Sequence, residues 1–481
     1  MKKLIVILFI IFGSFLTFSL YKTFAYDTSV VEEVPSTTDL EYTFKIGNSS
    51  IKQITVDSGE TRYYDIVLGN PNNAKISYSV YYEMVSPSTK PDGYKIEYTS
   101  KSTGNSTGIV NNNGNITLNI VVTNTSSSSV TVKVGTVAGY VKGGELTLNS
   151  GQEVIPKRLT AAEYVMTLND NTSGDEGSGV YKIEHSAIPA SNSATGSEIP
   201  AVTDYRYYGP NPNNYICLDM EGGSTCPDKH LYRIIGSIYE EKENTNRIKL
   251  LKATPLTDGT TSAFSWDYTS SGSYSNIWAT ITSGNYSNSL TSGSTLMQLL
   301  NSGAWWNGTS GSYYNQSNTA TTVNFTNYKL SDKAKSYITT SRYYLGGFNN
   351  TPPLTNEMYG YERGTLRYDT NRPLYWEGMV GLMYPSDYGY AAGNSCVNGT
   401  KLYDYNGYGN KDWLYISDIY QSLMSPYSGH FCSLFSVGYA GRVVIDNDVF
   451  EDLAVSPVFY LTSTTSIIDG DGSLNNPYIL K

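Results

Sequence analysis

The stretch TRYYDIVLGNPNNAKISYSVYYEMV, residues 61–85, decides the fold class of the first part of the chain. Apolar and polar residues alternate on both sides of an Asn-Pro-Asn-Asn turn, which is the period of a half-buried strand. Similar segments, including NITLNIVVTN and VTVKVGTVAGYV, follow at intervals of about ten residues. We therefore predict an Ig-like β-sandwich over residues 42–158.

The composition changes after this unit, because all 6 tryptophans and all 4 cysteines lie further along the chain. We predict a linker over residues 159–205, with a short helix at TAAEYVMTL capped by Thr160 and a strand at GVYKIEHS. An α+β domain is predicted over residues 206–481. It contains a hairpin around KENT (242–245) and two serine-capped helices, STLMQLLN (294–301) and SDKAKSYITTSRYYLGG (331–347). The chain as a whole is predicted to be multi-domain and mainly β.

The first residues have the pattern of a segment for export. Lys2 and Lys3 precede LIVILFIIFGSFLTFSLY (4–21), and Thr23 and Ala25 then occupy the two positions that a signal peptidase inspects. We predict a signal peptide over residues 1–25 and a linker over 26–41, with an uncleaved membrane anchor at 4–21 as the alternative. Both place most of the chain outside the cytoplasm. The net charge of -10 and the lack of a longer basic run exclude a nucleic-acid partner.

The cysteines are Cys217, Cys226, Cys396 and Cys432. An even number in an exported chain predicts two disulfides, and although three pairings are open, we choose the sequential one, 217 with 226 and 396 with 432. A zinc site is the rival interpretation. It is disfavoured because there is no CxxC spacing and no histidine at a ligand offset.

Several phrases resemble those of known families. YTFKIGN, VDSGETRYYDIVLGN and LNIVVTNTS resemble exported β-sandwich proteins of Gram-positive bacteria, of the camelysin and biofilm-fibre type. DYRYYGPNPNNYICL, WEGMVGLMYPSDYGYA and AVSPVFYL resemble surface and pilin-like proteins of gut Firmicutes. The second set is also similar to C-type-lectin-like domains related to the formylglycine-generating enzyme. The resemblance implies a stalk or fibre module, a C-type-lectin-like head, and a location outside a Gram-positive cell or on its surface.

Two stretches have the composition of recognition loops, GAWWNGTSGSYYNQSN (303–318) and YDYNGYGN (403–410). Aromatic rings offer contact area at little entropic cost, and the amides between them suit sugar hydroxyls. The alternative is that these rings belong to the core. We predict a ligand, either a carbohydrate or a surface protein, at Trp305, Trp306, Tyr313, Tyr314, Tyr405 and Tyr408.

Three carboxylates among aromatic residues raise the question of catalysis: Glu362, Glu377 and Asp387. Two carboxylates at a fixed separation can hydrolyse glycosides. They can equally pair with Arg363, Arg367 or Arg372, and we favour ion pairs because a buried charge needs a partner. We therefore predict no catalytic residue.

The stretch TSIIDGDGSLNNPYIL (465–480) could bind calcium through Asp469 and Asp471, but no carboxylate follows where an EF-hand loop requires its last ligand. Gly470 and Gly472 instead favour a terminal hairpin. No cofactor is predicted, with calcium as the weaker alternative.

Together these features predict an exported surface protein. Its head binds a ligand without catalysis, as an adhesin or a lectin does, and stands on a β-sandwich stalk. A structural subunit of a surface fibre or matrix is the alternative, because exposed strands can assemble by strand addition. A glycoside hydrolase is the third hypothesis.

Overall fold

The computed structural model describes residues 43–46, 53–99, 101–141, 146–169, 174, 177–281, 290–407 and 411–481. The fold is mainly β, with 38% strand and 13% helix, as the sequence predicts. The chain divides into two compact units between Leu159 and Thr160, called here the N-terminal and the C-terminal unit. The predicted export signal, anchor and first linker lie outside the described residues. In the part of the chain that is described, no helix is both long and apolar enough to cross a membrane.

The N-terminal unit consists of two antiparallel sheets around one apolar core. One sheet has the order β1-β3-β7-β5 and the other β2-β8-β4-β6, with β9 also paired to β4. Alternation places Ile66 and Leu68 of one sheet and Val132 and Val134 of the other in the same core cluster. Its strands are β1 Thr43–Ile46, β2 Gln53–Val56, β3 Glu60–Gly69, β4 Ile76–Ser86, β5 Tyr94–Tyr98, β6 Thr107–Val110, β7 Asn115–Asn124, β8 Val130–Tyr140 and β9 Gln152–Val154.

The turn between β3 and β4 is held by a buried asparagine. The Asn70 amide donates to the carbonyl oxygens of Ala74, Val110 and Asn111, and its Oδ1 accepts from Asn72 N at 3.0 Å. The opening stretch of the sequence therefore forms its turn by side-chain hydrogen bonds to the backbone, as asparagine is expected to do.

A mixed sheet organises the C-terminal unit. Among the described residues nine strands form it, in the order β17-β23-β14-β13-β12-β25-β24, with β11 added to β13 and β10 added to β11. The strands of this unit are β10 Gly179–His185, β11 Val202–Tyr208, β12 Tyr215–Cys217, β13 Leu231–Glu240, β14 Thr245–Lys252, β15 Ser310–Tyr314, β16 Ala320–Asn324, β17 Ile338–Thr339, β18 Ser341–Tyr344, β19 Tyr375–Gly378, β20 Gln421–Pro426, β21 Ser433–Val437, β22 Val443–Asp448, β23 Val458–Leu461, β24 Ile467–Asp469 and β25 Tyr478–Leu480.

Short helices and buried aromatic rings complete this unit. Trp266, Trp278 and Trp376 are each at most 1% exposed and belong to one large core. The described helices are α1 Ala161–Thr167, α2 Thr295–Asn301, α3 Ala304–Asn307, α4 Asp332–Ser336, α5 Thr355–Glu362, α6 Pro385–Ala391 and α7 Asn394–Gly399, with single 3-10 turns at Ala190–Asn192, Asp228–His230 and Leu402–Asp404.

Local sequence signals predict several of these elements correctly. Thr160 caps α1, Ser294 caps α2, and β13 and β14 pair as the predicted hairpin. The helix predicted over 331–347 is wrong in length, because α4 ends at Ser336. The β-branched and aromatic residues after it form β17, which pairs with β23, and β18, which pairs with β19.

One of the two predicted disulfides is present. Cys217 and Cys226 are bonded and close a short loop at the end of β12. The predicted bond between Cys396 and Cys432 is wrong, because both are buried cysteines outside any disulfide. Cys396 belongs to α7, whereas Cys432 precedes β21, so the fold places the two thiols on different elements.

Candidate functional site

A groove in the C-terminal unit runs along α5. It consists of two cavities of about 400 and 470 Å³. Both are lined by Ala187, Ile188 and Gly360, so they meet at these three residues. We call the two cavities together the amide groove, because four asparagines line it: Asn192, Asn356, Asn394 and Asn398.

Four elements form the walls of the first cavity, namely β10 with the segment that follows it, α5, α6 through Tyr390, and α7. The start of α7 depends on Gly393, which has a φ of 90°. A Cβ at this position would lie 2.5 Å from the carbonyl oxygen of Gly174. Only glycine combines this backbone with this close approach. Gly393 thereby places Asn394 at the edge of the cavity, where the Asn394 N–H donates to Gly174 O at 2.9 Å.

The rim of this cavity presents neutral amides. Asn356 and Asn398 are exposed, and Asn398 Nδ2 donates to Asn394 Oδ1 at 2.7 Å, one helical turn away. The two charged side chains at this rim, Lys182 and Glu184, lie 2.6 Å from each other and neutralise each other. Amides donate and accept at once. The rim therefore suits a ligand with many hydroxyl groups better than a charged one.

The floor of the cavity is a stack of rings. The imidazole of His185 lies parallel to the ring of Tyr359 with 3.8 Å between the centroids, and Tyr390 meets His185 edge-on. The guanidinium of Arg363 covers the other face of Tyr359 at 3.5 Å. Since both faces of Tyr359 are covered, the floor is fixed in place and offers ring edges to a ligand.

A carboxylate beneath the floor orients His185. Asp204 Oδ2 is 3.0 Å from His185 Nε2 and also accepts two hydrogen bonds from Arg206, at 2.8 and 3.2 Å. Burial opposes ionisation of Asp204, but Arg206 and His185 hold its pKa well below the usual range. An ionised carboxylate only accepts, so His185 Nε2 carries a proton. Burial lowers the pKa of His185 itself, although Asp204 opposes this shift.

The charge network continues inward from the floor. Arg206 Nη1 donates to Asp387 Oδ1 at 2.7 Å, and the ammonium group of Lys249 contacts Asp387 Oδ2. All four side chains are at most 2% exposed. Two carboxylates, Asp204 and Asp387, therefore face two cations in the interior, and the charges balance. The network couples β10, β11, β14 and α6 under the groove, because each of these elements supplies one or more of its members.

Glu362, at the end of α5, is a third buried carboxylate in this region. Its Oε1 accepts from Ser386 N at 2.9 Å and its Oε2 from Ser386 Oγ at 2.5 Å, and Arg363 lies 3.5 Å away. Burial raises the pKa of Glu362 to about 7, although Arg363 and Ser386 favour the ionised form. The proton on Glu362 is thus held more tightly in the folded than in the unfolded chain.

This shift predicts a particular pH dependence for the Glu362→Gln variant. A raised folded-state pKa stabilises the fold below the unfolded-state pKa, and this contribution is lost as the pH rises through the folded-state value. As the pH rises from about 4.5 to 7, the free energy of unfolding of wild type should therefore fall by up to about 3 kcal/mol relative to that of Glu362→Gln. Urea unfolding of both proteins across this range measures the difference. Parallel pH profiles would contradict the assignment.

The second cavity contains an exposed aromatic face. Tyr361 is 37% exposed and stacks on Phe348, with 4.2 Å between centroids and 28° between ring planes. Phe348 supports the ring from behind, so little side-chain entropy remains to be lost on binding. The supported ring of Tyr361 can stack on the face of a sugar, and the amide of Asn192 in the same cavity can hydrogen-bond the sugar hydroxyls.

The predicted ligand-binding residues do not form this groove. Trp305, Tyr313 and Tyr405 are 2%, 7% and 0% exposed and belong to the core, as in the alternative that the sequence left open, and not to an exposed recognition loop. The Tyr405 hydroxyl instead lies 3.1 Å from Thr355 Oγ1, at the start of α5.

Three further residues of that prediction remain. Trp306 packs partly buried against the core, with Lys335 Nζ 5.2 Å from its ring. Tyr314 ends β15 and is half-buried, and neither residue lines the groove. Tyr408 lies outside the described residues.

The three candidate catalytic carboxylates are used in ion pairs, as the favoured interpretation predicts. Glu362 pairs with Arg363 and Asp387 with Arg206 and Lys249. Glu377 pairs with Arg342 at 2.8 Å and Lys242 at 3.2 Å. The sequence indicated the partner of Glu362 but not those of Asp387 and Glu377.

Asp469 and Asp471 belong to the predicted terminal hairpin, in which β24 pairs with β25. Asp469 Oδ1 accepts from Gly470 N at 2.8 Å, and Asp471 Oδ1 accepts from Ser473 N at 2.9 Å. Their carboxylates thus stabilise the turn locally. Among the described residues, the metal-ligating side chains that do converge are His430, Cys432 and Asp448.

The groove was missed because its residues lie far apart in the sequence. A local signal exists in the Asn394 and Asn398 pair, which stand one helical turn apart. Comparisons of the chain with protein-family models, with curated proteins and with solved structures find no match. The residues of the groove are therefore the basis for a functional proposal.

Proposed function

We propose that the C-terminal unit is a non-catalytic, lectin-like head that binds a carbohydrate in the amide groove. The observation that supports this most directly is the combination of four asparagines with the supported ring of Tyr361. Neutral amides meet hydroxyl groups as donors and acceptors, and an aromatic face meets the C–H face of a sugar ring. The Lys182 and Glu184 pair is neutralised in the first cavity and the carboxylate of Glu357 lines the second, which together argue against an anionic ligand.

The same proposal extends to the whole chain. We infer an exported surface protein of a Gram-positive bacterium, in which an Ig-like sandwich acts as a stalk and a C-type-lectin-like domain as the head. The two-sheet N-terminal unit and the α+β C-terminal unit are consistent with this arrangement. Adhesion is then the biological role, because a stalk presents a binding head away from the cell.

The test is binding of the full chain from residue 26 to a panel of immobilised neutral and charged glycans, with and without a chelator. We expect saturable binding to neutral glycans, competed by the same glycan in solution and unaffected by the chelator. Failure to bind any glycan at high micromolar protein would overturn the carbohydrate proposal. Concentration-dependent assembly of that same preparation would then favour the structural fibre subunit.

A further inference from the structure

A turn and a strand in the C-terminal unit bring three metal-ligating side chains together. His430 and Cys432 belong to the turn between β20 and β21, and Asp448 ends β22. The antiparallel pairing of β21 with β22 places Ser433 opposite Asp448, so the carboxylate arrives beside the turn. One ligand atom from each of His430, Cys432 and Asp448 lies within 4.8 Å of the other two.

We propose that His430, Cys432 and Asp448 form a binding site for a divalent metal ion of the zinc class. Cys432 Sγ is 3.2 Å from His430 Nδ1 and 3.2 Å from Asp448 Oδ1. In a tetrahedral zinc site, bond lengths of about 2.0–2.3 Å separate neighbouring ligand atoms by about 3.3–3.6 Å. The two contacts to sulfur need to lengthen by only a few tenths of an ångström, while the ligand atoms of His430 and Asp448, which lie within 4.8 Å of each other, need to approach to surround an ion.

The ligand types select the metal. A thiolate and an imidazole with one carboxylate suit zinc and its first-row neighbours, whereas calcium and magnesium take oxygen ligands almost exclusively. Three protein ligands leave one tetrahedral position for water or a further ligand. His430 is exposed while Cys432 is 3% exposed, so an ion can enter from the side of the imidazole.

The turn is fixed before any ion binds. Asn276 Nδ2 donates to the carbonyl oxygens of Tyr427, His430 and Ser433, at 3.0, 2.9 and 2.6 Å. Val449 N donates to Cys432 O at 2.8 Å, which ties the turn to the residue after Asp448. Such contacts around a metal site keep its ligands in position and reduce the entropic cost of binding.

A cysteine nucleophile is the rival explanation of a nearby cysteine, histidine and aspartate. In such a triad the carboxylate orients the histidine. Here Asp448 Oδ1 instead accepts from the thiol of Cys432, and the imidazole contacts the same sulfur. The Ser433 hydroxyl also lies 3.4 Å from His430 Nδ1 and donates to Asp448 Oδ1 at 3.1 Å. The imidazole and the carboxylate thus both face the sulfur and this hydroxyl rather than each other, which is the geometry of a ligand set and not of a triad. The site shares no residue with the amide groove, so the two proposals stand independently.

Titration of the full chain with Co²⁺, a spectroscopic substitute for Zn²⁺, tests the site. We expect a thiolate-to-cobalt charge-transfer band that saturates at one ion per chain and disappears when Zn²⁺ is added. Cys432→Ser, His430→Ala and Asp448→Asn should each weaken binding by at least about 100-fold, because even residues behind the ligands change metal affinity 10- to 100-fold. Cys396→Ser and Asp446→Asn, which change a thiol in α7 and an exposed carboxylate, should bind as wild type does.

His430→Ala is the decisive variant, because His430 is exposed and its removal leaves the core intact. Circular dichroism confirms that each variant is folded before titration. The metal-site proposal would be overturned if wild type showed no band, or if His430→Ala bound Co²⁺ as tightly as wild type does. Cys432 would then be a thiol that is only hydrogen-bonded to its neighbours. Loss of the band in Cys396→Ser would also overturn the proposal, since the sulfur ligand would then be Cys396 and not Cys432.

Discussion

Replacing Asp387 by asparagine is expected to lower the free energy of unfolding of the C-terminal unit by about 3–5 kcal/mol. The carboxylate lies between Arg206 Nη1, 2.7 Å away, and the ammonium group of Lys249, and these side chains are at most 2% exposed. Burial opposes ionisation of Asp387, yet Lys249 and Arg206 hold its pKa below the usual range. The variant therefore leaves two buried cations with one carboxylate, Asp204, and urea unfolding measures the loss.

Two further variants make this result specific. Asp446→Asn is the same substitution on an exposed strand position of the same unit and should change stability by less than about 0.5 kcal/mol. Adding Lys249→Met to Asp387→Asn removes the surplus cation and should recover part of the loss. If Asp387→Asn is no more destabilising than Asp446→Asn, the network does not stabilise the fold in the way described.

Replacing Gly360 by phenylalanine is expected to reduce the affinity for the glycan at least about 100-fold, or about 2.7 kcal/mol, with no loss of stability. Gly360 lies in α5 at the boundary that both cavities share. A Cβ there meets no other atom within 4 Å, so the ring can occupy the groove without disturbing the protein. Removing a glycine from a helix also favours the helix by up to about 1 kcal/mol. Isothermal titration calorimetry measures the affinity.

Two control variants show whether a loss of affinity comes from blocking the groove or merely from replacing a helical glycine or adding a phenylalanine. Gly360→Ala adds one methyl group and should keep affinity within about threefold, since the groove stays open. Gly399→Phe places the same ring at another helical glycine with open space around it, outside the cavity linings. Wild-type affinity in Gly360→Phe would place the ligand elsewhere.

The elements predicted correctly are those whose signals are local. The cap of α1 is a reciprocal pair, in which Thr160 Oγ1 accepts from Glu163 N and Glu163 Oε2 accepts from Thr160 N. Both residues are within one turn, so the sequence displays the whole interaction. The hairpin of β13 and β14 is similar, since Asn244 in its turn takes the positive φ of 52° that asparagine tolerates. The helix over 331–347 failed because β17 depends on pairing with β23, more than a hundred residues away.

The groove and the metal-ligating cluster depend on contacts that the sequence does not display. Tryptophans and tyrosines at 303–318 have the composition of a binding loop, but Trp305 is placed in the core by the surrounding helices and strands. The pairing of Cys396 with Cys432 followed from an even count, which says nothing about distance. Cys432 lies beside Asp448 because two strands pair, and this register is a property of the tertiary fold.

The buried charges explain why the groove has a defined floor. Asp204 Oδ2 contacts both His185 and Arg206, and Oδ1 accepts from Tyr239 N at 2.9 Å. A single carboxylate thus links the ring stack to the central sheet. Such a fully paired network keeps the groove preorganised, which reduces the entropic cost of binding the proposed carbohydrate ligand.

The most direct test of the central claim, that the amide groove binds the glycan, is hydrogen–deuterium exchange of the full chain with and without the tightest-binding glycan of the panel. We predict slower exchange in β10 and the residues after it, in α5 and in α7, which are residues 179–188, 355–362 and 394–399. We also predict unchanged exchange at residues 303–324, where the aromatic loop and its hairpin lie. Protection confined to 303–324, with the groove segments unchanged, would contradict the account.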